Sequence, residues 1–455
     1  MDTLLLSRIQ FALNIAFHFI YPPLSIGLAI YLVLFEGLYL KTKKPHYRRL
    51  VVFWIKIFAL IFAIGVATGL VQTFAFGTNW ARYSRFVGDV FGSALAAEGI
   101  FAFFLEAGFL GVLLFGMDRV KPLTHYVSTI CVAIGAHFSA IWIIVVNSWM
   151  QTPAGYAIEG TGAKAKAVVT SFWDMVFNPS SIDRLIHVIL GCWLAGSFFM
   201  LSVGCYYLVK KRYEKESLCM VKTSLIVAVV VLLLQVISGD SSAKIVAKYQ
   251  PTKLAAMEGI YETTEYTPLS IMGWVDPKKE RVYGIRVPGM LSFLVYQDPK
   301  TPVPGLDQVP KEDWPNVPLV FQFYHAMLAC WFLMFLITLF GLYSWRKGRL
   351  TQSRSFLWPG VFSVVLPQVA LQTGWFAAEM GRQPWIIYGV MRTSDGVSTT
   401  LVKEQLIGSM TMFVLIYLLL FCLFIFLLDR KIKHGLSIEE EDLASSVYSD
   451  VFSES

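Results

Sequence analysis

The chain has 455 residues, of which 56% are hydrophobic, 15% aromatic and only 15% charged, with a net charge of +7. An average soluble domain carries about 25% charged residues, so this composition excludes a water-soluble globular protein. The basic excess does not mark a nucleic-acid binder, because it falls in short clusters between apolar runs, where it sets membrane topology. Apolar runs lie at roughly 13–40, 51–77, 91–117, 124–150, 182–208, 218–238, 319–344, 356–380 and 404–428. Each reaches the about 20 residues a helix needs to cross a hydrocarbon core of about 30 Å. The fold class expected is therefore all-α, a polytopic membrane bundle of nine transmembrane helices. The first run has no small-residue cleavage site after it and is expected to stay in the mature protein.

Lysines and arginines orient the bundle. Five loops on one side, beginning with KTKKPHYRR (Lys41 to Arg49), carry 18 of them, whereas the opposite side carries 8 with one long loop set aside. The amino terminus is expected outside and the carboxyl terminus in the cytoplasm. The chain divides into six helices (1–238), an outer loop (239–318), three more helices (319–430) and an acidic cytoplasmic tail (431–455). The outer loop is rich in proline and charge and too long for an idle connection, which makes it a candidate substrate-binding segment. Cys131, Cys192, Cys205, Cys219, Cys330 and Cys422 stand singly, with no C-x-x-C and no C-x-x-C-H, so they read as packing residues.

An ionisable side chain inside a span costs a few kcal/mol or more and is a functional candidate by default. We single out His18, Glu98, Glu106, His137, His187, His325 and Glu379. With a rise of about 1.5 Å per residue, His187 lies about 8 Å and Met327 about 12 Å below the outer face. They can face each other at one level, and a His/Met pair is the axial set of a low-spin haem. His18, Glu98 and Glu379 also fall in the outer third of the bilayer, with Arg382 three residues after Glu379, so several iron-ligating types share one depth. Glu106 is about 12 Å deeper than Glu98, near the midplane, where a lone carboxyl reads as a proton carrier. His137 reads as a hydrogen-bonded bundle residue, and His46, His125 and His434 as solvated loop or span-end residues.

The runs FGTNWARYSRFVGDVFGSALAAEGIFAFFLEAGF (Phe76 to Phe109), VNSWMQTP (Val146 to Pro153), QPTKLAAMEG (Gln250 to Gly259) and GWFAAEMGRQPW (Gly374 to Trp385) resemble subunit I of cytochrome bd-type quinol oxidases. The likeness extends from LSRIQFAL near the start through the ninth span, and the absence of a long loop insertion resembles the short-loop branch. It implies His187 and Met327 as ligands of a low-spin b haem. His18 and Glu379 are then ligands of two high-spin haems, one b-type and one chlorin haem d, with Glu98 a further ligand or proton donor. Arg382 and Arg8 are expected to bind cofactor, and Trp375 to pack on a macrocycle. Lys253 and Glu258 resemble a quinol-binding pair, and Glu106 and Ser139 a proton path from the cytoplasm. Where the family pattern has Arg-Ile before the methionine, this chain has His325-Ala326, which leaves His325 an alternative cofactor contact.

The resemblance thus implies a terminal oxidase of the bacterial cytoplasmic membrane. It oxidises ubiquinol or menaquinol outside and reduces dioxygen to water with cytoplasmic protons, moving charge without a pump. Its expected partners are a subunit II, a small single-span subunit and membrane lipid, with no nucleic acid. Two alternatives stand beside it: a cyanide-tolerant family member using only b haems, and a secondary transporter, against which the outward clustering of His, Met and Glu argues.

Overall fold

The computed structural model describes residues 2–99 and 104–436. Residues 100–103 of the third apolar run and the acidic tail expected from Ser437 lie outside the described residues. The first run divides into α1 (Thr3–His18) and α2 (Tyr21–Thr42). Pro22 and Pro23 open α2 without N–H donors, so the helical ladder stops at Phe19 and Ile20 and His18 becomes the last residue of α1.

The next elements are α3 (Pro45–Thr78), the short α4 (Ala81–Phe86), α5 (Gly88–Glu98), α6 (Phe104–Phe115) and α7 (Pro122–Gln151). A hairpin of β1 (Tyr156–Glu159) and β2 (Lys166–Val169) and the single turn α8 (Phe172–Val176) lead into α9 (Ser181–Val209) and α10 (Glu214–Tyr249). The long loop then builds α11 (Pro251–Glu258), the antiparallel pair β3 (Leu269–Asp276) and β4 (Arg281–Val287), and α12 (Met290–Tyr296). The chain closes with α13 (Val317–Arg346), α14 (Arg354–Phe362), α15 (Val365–Met380), the pair β5 (Trp385–Ile387) and β6 (Met391–Arg392), α16 (Thr393–Gly396) and α17 (Lys403–His434).

Among the described residues, seven helical stretches are long and apolar enough to cross a membrane, and α14 with α15, bent by 40°, make an eighth. The run expected at 91–117 is α5 and α6, on either side of the undescribed residues. The sixth span does not end at 238: α10 continues to Tyr249, so the loop begins on a helix projecting from the bundle.

Helix α2 is apolar around its whole circumference and is the bundle's axis, packing on α3, α7 and α9. Its Tyr21, Leu28, Tyr31, Leu32 and Phe35 are buried. At Gly27 it touches Gly196 of α9 backbone to backbone: a Cβ on Gly27 would lie 2.2 Å from the Cys192 carbonyl oxygen. Small residues permit such approaches where lipid gives helices no hydrophobic reason to associate. By contrast, α17 turns Leu418, Leu419 and Phe426 outward.

The basic loops meet at one end of the bundle. Arg48 pairs with Asp118 at 2.7 Å, Arg49 pairs with Glu216, and Arg212 donates to the Lys433 carbonyl at 2.9 Å. Just inside that end lies a group that the apolar-run reading passed over. Glu36 is fully buried, with His125 Nδ1 2.6 Å from one carboxylate oxygen and Thr129 Oγ1 donating to the other at 2.6 Å. His125, expected to be solvated, is therefore buried, because Glu36 across the α2–α7 interface supplies the polar partner that water would otherwise give. His46 is buried as well, its ring 4.1 Å from that of Tyr47.

Candidate haem and quinol sites

His18 ends α1 beside α3. Thr68 Oγ1 donates to the Ile64 carbonyl at 2.8 Å, so at 3.0 Å from His18 Nδ1 it acts as the acceptor. The proton is thereby placed on Nδ1 and the lone pair on Nε2, which has no hydrogen bond among the described residues. This is how an outer hydroxyl prepares a histidine ligand. A Cβ on Gly69 would lie 3.2 Å from His18 Cε1, so the glycine keeps the ring's flank open. On the same faces, Asn14 and Gln72 are buried with both amide atoms unpartnered.

His187, on α9, repeats the device. Ser238 Oγ, donating to the Gln235 carbonyl at 3.3 Å, accepts from His187 Nδ1 at 2.9 Å, and the Nε2 lone pair faces the Gln235 amide at 3.0 Å. Met327 is on α13. Helices α10 and α15 each pack on both α9 and α13, so His187 and Met327 stand at opposite corners of a four-helix ring. Gly374 of α15 lies under the thioether, where a Cβ would be 2.7 Å from Met327 Sδ.

Near the C-terminal end of α15, Glu379 gathers a buried polar cluster. Arg382 donates to one carboxylate oxygen; Asn147 and Gln151 donate to the other at 2.9 and 3.2 Å. Arg184 donates to Asn147 Oδ1 at 2.5 Å, and Lys253 donates to Gln151 and to Gln250 Oε1, the latter at 2.6 Å. Burial and the two arginines push the Lys253 amine well below its usual range. Even with that amine neutral, two guanidiniums, which stay charged, face the buried Glu379 carboxylate, and Asp183 is a second carboxylate acting on Arg184. Arg382 Nη1 and Arg184 Nε are buried without partners. These unpartnered N–H groups can take a further anion, and the carboxylates of haem propionates fit them.

Glutamines connect this cluster to His18. Gln372 and Gln368 of α15 donate to the Ala16 and Ile20 carbonyls at 2.8 and 3.5 Å, the first an acceptor that the α1–α2 break deprives of its helical donor. Ser139 donates to Glu98 Oε1 at 2.5 Å, which joins two of the residues expected in the proton path. Glu106 is buried at the start of α6 and has no hydrogen bond or ion pair among the described residues. Arg8 is half-buried on α1 and likewise unpaired among them. Trp375 packs on Phe376 at 5.0 Å. His137 is a satisfied bundle residue, donating to the Ala133 carbonyl at 2.7 Å and accepting from Trp193 at 3.0 Å.

In the long loop, Lys253 and Glu258 leave α11 in different directions. Lys253 faces the Glu379 cluster, whereas Glu258 accepts from Ser270 N at 3.0 Å near Arg286 and Tyr324. Burial raises the Glu258 carboxyl to about 7 against the opposing pull of Ser270 and Arg286. His325 turns toward this loop: Nδ1 lies 2.8 Å from the Phe321 carbonyl and Nε2 2.9 Å from that of Ser270. Both nitrogens lie against carbonyl oxygens, and a neutral ring donates its one N–H to one of them, so the ring is turned to backbone acceptors.

Sequence reasoning missed Arg184, Asn147, Gln151 and Arg286. A buried arginine such as Arg184, three residues before His187, was the available signal. Among the described residues, no three His, Cys, Asp or Glu side chains converge on one point. The donors stand singly, which fits haem iron, held by the protein only through axial ligands.

The chain matches the family model for cytochrome bd terminal oxidase subunit I over residues 6–436. It is 36% identical over 449 residues to cytochrome bd ubiquinol oxidase subunit 1 of Bacillus subtilis (strain 168), covering 96% of this chain and 94% of the relative. To cytochrome bd-II ubiquinol oxidase subunit 1 of Escherichia coli (strain K12) it is 32% identical over 508 residues, covering 97% and 98%. The solved bd oxidase of Geobacillus thermodenitrificans superposes with a TM-score of 0.88 at 29% identity, covering 95% of this chain and 99% of that one.

Proposed function

The chain belongs to the cytochrome bd terminal oxidase subunit I family, and from that premise we propose that it oxidises quinol at its outer loop and delivers the electrons to dioxygen. The observation that carries the reading is the buried cluster in which Arg184 and Arg382 gather around Glu379 with unpartnered N–H groups, tied through Gln151 and Lys253 to the helix that holds Glu258. Bound haem supplies the electron transfer and the reduction of dioxygen to water.

His187 and Met327 hold the low-spin b haem from two corners of the four-helix ring. His18 and Glu379 hold the two high-spin haems, one b-type and one haem d, with Glu98 as a further ligand or proton donor. Arg382, Arg184 and Arg8 neutralise propionates, and Trp375 packs on a macrocycle. Glu258 accepts a proton from a quinol hydroxyl and releases it outside. Glu106 and Ser139 pass cytoplasmic protons to Glu98. With the amino terminus outside, nine crossings and a cytoplasmic tail, both half-reactions move charge the same way and no pump is needed. The protein works in the bacterial cytoplasmic membrane with a subunit II and a small single-span subunit, on ubiquinol or menaquinol.

Family membership sets aside the transporter alternative. The visible spectrum of the purified, reduced complex tests the rest. Low-spin b bands together with a long-wavelength chlorin band are expected. Haem bands without the chlorin band replace haem d by a third b haem, and a preparation without haem bands refutes the proposal.

A further inference from the structure

The loop is fastened to α13 at two points. Gln322 Nε2 donates to the Gly273 carbonyl at 2.9 Å, and His325 Nε2 stands 2.9 Å from the Ser270 carbonyl. Ser270 sits where the β3–β4 register shifts, and such bulges re-aim a strand beside a site. The same residue holds Glu258 twice, its N–H donating to Glu258 Oε2 and its hydroxyl to the Glu258 carbonyl, both at 3.0 Å. A continuous chain of contacts therefore runs from the His325 ring through the backbone of one residue, Ser270, to the Glu258 carboxyl. All three residues are buried, and the His325 ring is itself stacked on Phe321 at 3.9 Å. Gly259 locks the far side: it has φ +67°, and a Cβ there would lie 2.3 Å from Val282 Cγ2 and 3.4 Å from Phe321.

We propose that His325 is a positioning residue for quinol oxidation, fastening Ser270, and through it Glu258, to the helix that carries Met327, and that it is not an iron ligand. Its ring holds a strand carbonyl with an N–H, two residues before Met327 on the same helix. The loop's acid–base group and the low-spin haem's helix thereby keep a fixed separation. The inference rests on the reading of Glu258 as the quinol's proton acceptor, so Glu258→Gln serves as a parallel control.

In the intact oxidase, His325→Phe keeps the ring and its stacking but removes the donor. The quinol KM is expected to rise about tenfold, the effect of losing one buried hydrogen bond. His325→Gln, which returns an N–H at similar reach, is expected to recover most of that loss. The low-spin haem spectrum and turnover with a small aromatic diamine reductant should be unchanged in both. Trypsin cleavage at Lys278, Lys279 and Arg281, on the β3–β4 hairpin, should accelerate in His325→Phe and not in His325→Gln. A changed low-spin spectrum in His325→Gln would show ligation and overturn the proposal. An unchanged quinol KM and cleavage rate in His325→Phe, with Glu258→Gln impaired, overturns the latch alone. Quinol oxidation indifferent to all three variants overturns the loop reading and the latch with it.

Discussion

Replacement of Glu258 by Gln separates the charge of this carboxyl from its shape. Burial lifts the carboxyl from its usual 4.5 to about 7, while Ser270 N–H and Arg286 pull the other way. At about 1.4 kcal/mol per pH unit, the ionised form is disfavoured in the folded loop by about 3 kcal/mol. The sign follows from where the proton is held. Between about 4.5 and 7 the folded loop keeps a proton that the undocked loop loses, so docking is firmest at low pH and weakens as pH rises through 7. The base, however, exists only above that value. Quinol oxidation by the native oxidase is therefore expected to climb through pH 7, with hydrogen exchange at Ser270 N–H accelerating over the same interval. In Glu258→Gln both dependences should flatten, quinol turnover should fall about a hundredfold, as loss of a general base does, and Ser270 should stay protected at pH 8. Turnover with an artificial reductant should not change. A Gln variant that keeps the native pH profile, or that loses both activities equally, refutes the assignment.

Two other outcomes follow from the geometry. Gly374→Ala places a methyl 2.7 Å from Met327 Sδ, an overlap that displaces the thioether at about 1–3 kcal/mol; conversion of the low-spin haem signal to high spin is expected, and an unchanged spectrum would remove Met327 as ligand. Glu106→Gln should slow oxygen reduction while leaving haem content intact, and undiminished turnover would end its role as proton carrier.

The long apolar runs and the separation of the basic loops to one end were legible because a membrane imposes length and charge rules residue by residue. The broken first span was legible in principle from Pro22 and Pro23, but hydropathy averages over such a break. The extension of α10 through the polar stretch to Tyr249 was not, since a helix leaving the bilayer no longer needs apolar residues. The candidate ligand residues were legible one at a time, as ionisable or sulfur side chains within apolar runs. What surrounds them depended on partners far apart in the chain: Asn147 and Gln151 converge with Arg184 and Lys253 on Glu379. Glu36 escaped because it lies within an apolar run, and its partner His125 lies some ninety residues on. His325, read as an alternative cofactor contact, instead faces Ser270, a contact set by the loop's return path.

The division between α1 and α2 bears on how the protein is made. The Ala16 carbonyl, which the break deprives of its helical donor, receives one from Gln372, a residue translated some 350 positions later. Until then that backbone acceptor lacks this donor, which in lipid costs several kcal/mol. Completion of the amino-terminal helices is thus tied to the arrival of α15: a nascent chain arrested before it leaves the Ala16 carbonyl, two residues from His18, without this donor.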